Sequence, residues 1–322
     1  MGKTCLVSAS MTPALAKAGK VTEYVVPTPQ CWCSGITLGP DGNLWFGESH
    51  GSWIGGGKIG RITPQGQITE FPVPALPTAN GSPDEITVGP DGNLWFTDNF
   101  GNGAIVKLTT SGQMSEYYIP TNQSVPWGIT KGPDGNLWFT ETFGGKIGKI
   151  TPSGHITEYS DPNIQFPMYI TAGPDGNLWF TDFEADKIEK ITPSGKVTAF
   201  PMIPGVPFGI TLGPDGNLWF TEFDGAKIGK MTPSGHLTEY LLPSSGLQPS
   251  GITVGPDGNL WFCEEGGFGS TDKIGRITLS GHITEYSIPT KSSGPSDITA
   301  GPNGTLWFVE TAGNKVGKIT AW

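Results

Sequence analysis

Charge is scarce in this chain: Asp, Glu, Lys and Arg make up 15% of its 322 residues. Bases are scarcer still, 19 against 29 acids, giving a formal net charge of -10 and a pI near 4.8. That balance excludes nucleic acid as a natural partner. Long apolar runs are also missing. No stretch of 18 apolar residues occurs, so neither a transmembrane helix nor a membrane partner is expected. Leu6 and Val7 are too sparse for a signal-peptide core, although Ala14-Leu15-Ala16 resembles a cleavage site. A cytoplasmic location is therefore favoured, with secretion as the alternative. The four cysteines, Cys5, Cys31, Cys33 and Cys263, are too few for a disulfide scaffold. Cys31 and Cys33 stand two apart, a spacing expected to strain a mutual bridge, and nothing demands an oxidising compartment. A zinc site on Cys31, Cys33 and Cys263 would lack a fourth ligand and normal chelate spacing.

What is abundant is Gly (49), Pro (29) and aromatic side chains, with 11 Trp, 16 Phe and 7 Tyr. Such glycine and proline content approaches disordered composition, but disordered chains carry few aromatics. Short strands joined by tight turns satisfy both observations.

The repeat is explicit. GPDGNLWF begins at Gly39, Gly89, Gly132, Gly173, Gly213 and Gly255, and GPNGTLWF at Gly301. The seven copies are spaced 50, 43, 41, 40, 42 and 46 residues apart. A second phrase follows, as in KIGKITPSGHITEY from Lys146. One unit reads as strand A (WGITKGP), a PDGN turn, strand B (LWFTE), a glycine-rich loop, strand C (KIGKIT), a PSG turn and strand D (HITEY). Four antiparallel strands per unit define a propeller blade. The chain stops after the last strand C, and Lys20-Val21-Thr22-Glu23-Tyr24 supplies the missing strand D. The expectation is an all-β, seven-bladed propeller over residues 19–322, closed by the N-terminal strand, with 1–18 as a leader. A closed ring leaves no free edge, so a monomer is expected.

The seven LWF tryptophans read as packing between blades, and the PDGN turns as turn chemistry rather than calcium loops. Glu48, Asp98, Glu141, Asp182, Glu222, Glu264 and Glu310 end the B strands, suggesting a shared structural hydrogen bond or a place on the funnel. His155, His236 and His282 begin D strands on the opposite face and read as solvent-exposed. His50 lies instead in a long mouth-face loop. Trp32, Trp53 and Trp127 also fall on the mouth face, and the entry to strand A varies by blade: Ser34, Asp84, Trp127, Met168, Phe208, Ser250 and Ser296. Aromatic residues with a few polar groups fit a small-molecule pocket.

GPDGNLWFTE, the KIGKITPSGHITEY phrase and the ring-closing N-terminal strand resemble the virginiamycin B lyase (streptogramin lyase) family over residues 19–322. The resemblance implies linearisation of streptogramin B antibiotics by elimination. It also implies magnesium, histidines opening strand A of the last two blades, and a glutamate ending the last strand B. Glu310 matches that glutamate, but the histidine positions are Ser250 and Ser296, and Gly294 replaces an acid. Serine is too weak an acid to replace imidazole as a proton shuttle. The expected function is therefore a lyase- or cyclase-type acid–base reaction on a natural product or uronate-like small molecule, rather than streptogramin cleavage itself. His50, Glu48, Asp84 and Glu310 are the candidate acids and bases. Trp32, Trp53, Trp127, Met168, Tyr169, Phe208, Ser250 and Ser296 are the candidate ligand contacts. The alternatives are a non-catalytic carbohydrate or hydrophobic-metabolite binder, and a docking propeller without a small-molecule site.

Overall fold

The computed structural model describes residues 19–49, 56–74, 81–201 and 205–322. His50, Trp53, Cys5 and the leader 1–18 lie outside the described residues. Strand formation follows the repeat. β-Branched and aromatic residues fill the strands, and the Gly of each PDGN turn takes the left-handed conformation the turn requires, as at Gly42 (φ 76) and Gly135 (φ 76).

Seven four-stranded antiparallel sheets result. Blade 3 is typical: strand A is Pro126–Lys131, B is Leu137–Glu141, C is Lys146–Ile150 and D is Ile156–Ser160. In blade 7, Val21–Val25 pairs with Lys315–Thr320 as strand D, register Val21 to Ile319. The first and last strands of the ring thus share a sheet, which closes it. Among the described residues no helix is long and apolar enough to cross a membrane.

The core lies between blades. Each repeated Trp is fully buried, and Trp45 of blade 1 packs with Ile86, Leu94 and Phe96 of blade 2. The indole of Trp138 stacks on Tyr159 (5.4 Å) beneath the Lys149 ammonium (5.2 Å), and its Nε1–H donates to Asp134 Oδ1 at 3.0 Å. The turn aspartate therefore fixes the indole as well as the turn. Despite burial, which opposes ionisation, hydrogen bonds from Asn136 and Trp138 hold the Asp134 carboxyl below its ordinary range.

Every strand A is bulged against its strand B near the mouth, for example between Pro126 and Ile129 and between Pro295 and Ile298. A bulge frees residues from the ladder and re-aims their side chains. The loosened backbone is tied by hydroxyls. In blade 3, Gly128 N–H donates to Thr140 Oγ1, which donates to Met168 O of the next blade at 2.7 Å. Where that threonine is missing, a hydroxyl from another position makes the strap. Gly47 of blade 1 is covered by Ser34 Oγ on Pro83 O (3.0 Å), and Cys263 of blade 6 by Ser250 Oγ on Pro295 O (3.0 Å). In blade 7, which carries Val309, Thr311 Oγ1 donates to Cys33 O (2.7 Å) and shares a hydrogen bond with Ser296 Oγ (2.8 Å).

Cys31 and Cys33, two apart in the chain, form a disulfide with a Cα–Cα distance of 5.1 Å. Trp32 between them is left-handed (φ 46), which folds the chain back and brings two buried side chains together. Cys263 is a separate buried thiol in the blade 6–7 core, so no thiolate set assembles.

Candidate functional site

The bulged residues of the A strands surround the ring axis. Two residues beyond Cys33, Pro83, Pro126, Pro167, Pro207, Pro249 and Pro295 of the A strands stand Gly35, Glu85, Gly128, Tyr169, Gly209, Gly251 and Asp297 around the ring. Glycine is there for space: a Cβ at Gly128 would stand 2.5 Å from Met168 O, and one at Gly251 2.6 Å from Asp297 Oδ1. Three positions, Glu85, Tyr169 and Asp297, break the rule, and these residues line the axial cavity.

Above them opens a mouth cavity of about 540 Å³. Trp32, Trp127, Tyr169 and Phe208 form its apolar wall, and Asp84, Asn99, Ser296, Asp297 and Thr311 supply polar groups. A narrower cavity of about 170 Å³ continues along the axis, lined by Glu85, Tyr169 and Asp297 among inner-strand isoleucines and threonines. Asp297 and Tyr169 border both spaces.

The floor is a cluster of three carboxyls. Asp297 Oδ2 accepts from Ile36 N–H of blade 1 at 2.8 Å, and Asp84 Oδ2 from Asn99 Nδ2 at 2.9 Å. Burial pushes the Asp84 carboxyl up to about 7, opposed by the Asn99 hydrogen bond and aided by the Asp297 charge. Burial, then the Asp297 and Asp84 charges, raise Glu85 well above the carboxylate range. Asp297 is itself raised by burial. Desolvation and these three acids together keep the Tyr169 phenol protonated. The Trp127 Nε1–H is buried and faces Tyr169 without a normal hydrogen bond.

An aromatic ladder leaves the cavity across blades 5, 4 and 3. Phe208 meets Tyr169 at 5.0 Å, Phe223 at 5.5 Å and Phe183 at 6.2 Å. Phe183 meets Phe166 at 6.1 Å, and Phe166 meets Phe143 at 5.4 Å. Phe143 is 66% exposed at its outer end.

Of the residues expected from sequence, Trp32, Asp84, Trp127, Tyr169, Phe208 and Ser296 line the mouth cavity. Met168 and Ser250 are buried beside it, and Ser250 is spent on the blade strap. Glu48 and Glu310 are fully buried inside the blades and do not line either cavity. They belong with Glu141, Glu222 and Glu264 to a repeated arrangement of two glutamates and a lysine. In blade 7, Lys315 pairs with Glu23 at 3.3 Å, and Glu310 lies beside both. Burial, then the Glu23 charge, raise Glu310 to about 8. Burial and the Glu70 charge take Glu48 to about 7. Asp98 and Asp182 differ by accepting backbone N–H groups, Asp182 from Gln165 (2.7 Å) and Phe166 (2.9 Å). His155, His236 and His282 are exposed at the starts of the D strands.

Sequence reasoning missed Glu85 and Asp297. Their signal was available: each replaces the Gly of the GIT phrase that ends strand A.

Fold and cavity together define a closed seven-bladed β-propeller with an aromatic mouth funnel over buried carboxyls. The profile of the Virginiamycin B lyase family matches residues 9–166 and 161–322, and the chain belongs to that family. A solved streptogramin B lyase superposes with a TM-score of 0.85 at 37% identity, covering 95% of this chain and 99% of that one. Virginiamycin B lyase from Staphylococcus aureus gives 0.83 at 39% identity, covering 94% and 99%. A catalytically inactive form of that enzyme, one histidine replaced by alanine, with quinupristin, gives 0.82 at 38% identity, covering 94% and 99%. The curated virginiamycin B lyase of Bordetella pertussis is 38% identical over 64 residues, spanning 20% of this chain and 19% of that protein.

The magnesium implied by the resemblance does not fit the residues present. Ser250 Oγ points to Pro295 O, Ser296 Oγ is engaged with Thr311, and Glu310 faces Glu23 and Lys315. Among the described residues no group of three or more His, Cys, Asp and Glu is arranged to hold a metal ion.

Proposed function

We propose that this chain is an acid–base lyase or cyclase acting on a small natural product in the mouth funnel, with carboxyls in place of imidazole. The observation that carries this reading is the convergence of Asp84, Glu85 and Asp297 under an aromatic wall. Three buried carboxyls in mutual repulsion do not all ionise at neutral pH. One carboxylate can therefore take a proton from carbon while a neutral neighbour gives one to the leaving oxygen, which is the proton balance of an elimination. The similar S. aureus enzyme is described as inactive once a histidine is replaced, whereas no described histidine of this chain lines the funnel. The reaction class is retained in this reading and the proton carriers are changed. An acidic floor repels a uronate, so a neutral or cationic substrate fits better. The closed ring acts as a monomer.

A second reading, a hydrophobic-metabolite binder, draws on the aromatic ladder from Phe208 to Phe143.

The test is turnover of streptogramin B, followed by mass spectrometry with and without magnesium, on wild type, Asp297→Asn and His50→Ala. A linear product of unchanged mass that disappears in Asp297→Asn and persists in His50→Ala supports the carboxyl mechanism. Loss in His50→Ala alone assigns the chemistry to imidazole instead. No product, with saturable binding of the same compound, supports the binder.

A further inference from the structure

We propose that the mouth funnel is built for an organic cation, an alkylammonium group that lies between Asp84 and Asp297 against the rings of Trp127, Tyr169 and Phe208. This rests on the funnel being a small-molecule site, and it adds the charge of what that site takes.

The two acids are 7% and 8% exposed, and both line the mouth cavity. The repeat does not require them. Four of the seven blades carry glycine where blades 2 and 7 carry Glu85 and Asp297, and at the position of Asp84 other blades carry serine, methionine or an aromatic residue. Structural duty takes one oxygen of each acid: Asp84 Oδ2 accepts from Asn99, and Asp297 Oδ2 from Ile36 N–H. Among the described residues no donor reaches Asp84 Oδ1. A carboxyl more than nine-tenths buried thus keeps an open acceptor in the wall of a cavity, and a buried charge needs a partner. The chain supplies none there: among the described residues no Lys, Arg or His lines either cavity. Burial first, and then mutual repulsion, works against the charged forms of Asp84 and Glu85. A cation between Asp84 and Asp297 offsets both, and the net charge of -10 favours its approach.

Above the acids the wall is aromatic. The rings of Tyr169 and Phe208 stand 5.0 Å apart at 58°, a corner rather than a stack, and Trp127 lines the same cavity. Ring faces attract an alkylated ammonium through their quadrupoles, whereas an anionic ligand would meet acids and no base. The bound cation also sets the proton carriers. It holds Asp84 or Asp297 ionised as the base, while Glu85, in the narrower cavity below, keeps its proton.

The experiment uses the full chain and two ligands of one shape, choline and its neutral carbon isostere 3,3-dimethylbutan-1-ol. Each competes with the neutral apolar fluorophore N-phenyl-1-naphthylamine at constant ionic strength. Choline should compete about tenfold better than the isostere, the gain expected of a desolvated cation on aromatic rings. Asp84→Asn and Asp297→Asn keep the oxygens that accept from Asn99 and Ile36. Each should cut choline affinity about tenfold and leave that of the isostere unchanged. Equal affinities of the two ligands in the wild type, or a preference for choline that survives in the double variant, overturn the proposal. Binding of the isostere without preference for choline leaves the funnel reading in place and removes only the charge assignment. If the fluorophore does not bind the wild type, the funnel reading fails, and direct calorimetry with choline decides the cation site: absence of saturable heat overturns it. If a variant does not fold, the wild-type comparison of the two ligands decides alone.

Discussion

The glutamates that end five of the B strands and the carboxyls of the funnel floor are both buried, and both are pushed toward neutrality. They differ in what surrounds them. Glu141 sits against Glu158 and Lys146 inside a blade, and the same arrangement recurs at Glu48, Glu222, Glu264 and Glu310. A protonated carboxyl there can donate to the strand D glutamate, and no cavity of the site reaches it. Asp84 and Glu85 of blade 2 and Asp297 of blade 7 occur once each and face open space. A raised pKa marks burial; access to a ligand is what turns a buried acid into a candidate catalyst. The comparison also explains why a sequence-based choice of Glu48 and Glu310 is attractive: they end strands on the mouth face, but their side chains turn into the blade.

The largest effect is expected where the repeat itself is broken. Trp138→Ala should remove about 3–5 kcal/mol of stability by leaving a cavity between blades 3 and 4, read from the denaturant midpoint. A loss below about 1 kcal/mol would mean that the interblade tryptophans are not the main packing element. Next comes the contrast between the two acid sets. Asp297→Asn keeps an oxygen for Ile36 N–H and should cut turnover on an identified substrate by about 10²-fold with little change in melting. Glu310→Gln should leave turnover unchanged; a reversal of the two results would relocate the chemistry into the blades.

A smaller effect concerns pH. The Glu141, Glu264 and Glu310 carboxyls are raised from 4.5 to about 8 by burial and neighbouring glutamates, so the folded chain holds more protons than the unfolded chain between those values. Stability must then fall as pH rises from about 4.5 to about 8. The lowered turn aspartates act oppositely and only in acid: Asp91, held near 2, loses its contribution as pH falls below about 3.8. Melting curves should peak on the acid side of neutrality. Glu141→Gln should flatten the alkaline slope and raise the melting temperature at pH 8 by about 2–4 °C, the shift that goes with roughly 1 kcal/mol. A slope unchanged by that substitution would remove these glutamates from the account. The smallest effect belongs to Phe143→Ser at the exposed end of the ladder. It should change stability by less than about 0.5 kcal/mol, yet weaken N-phenyl-1-naphthylamine binding if the ladder extends the funnel. Equal affinities would confine the ligand site to the cavity.

Much of this was legible in the chain. Seven LWF copies with turn residues at fixed offsets specify seven blades, and a stray ITEY-like phrase at the N-terminus specifies how they close. Local rules suffice because each blade repeats the same strand pattern and the same turns. Trp32, Asp84, Trp127, Tyr169, Phe208 and Ser296 were also within reach, since they stand out as variation in a monotonous repeat. Glu85 and Asp297 stand one position further along, where glycine is the rule and the departure is less conspicuous than at the variable entry position. Other assignments were not reachable by that route. Ser250 varies like its neighbours, but its hydroxyl replaces the threonine missing at Cys263, a contact between residues 45 apart. The Cys31–Cys33 bridge depends on the left-handed turn at Trp32, which the spacing of two cysteines does not reveal.

The sequence by itself determined the number of blades, the strand pattern and the closure of the ring, because these follow from periodicity and turn chemistry within about forty residues. Only the tertiary structure decided which acids face the funnel. A side chain at a strand end can turn into its blade or toward the axis, and bulges, interblade hydroxyl straps and the narrow glycine-lined centre of the ring settle that choice together.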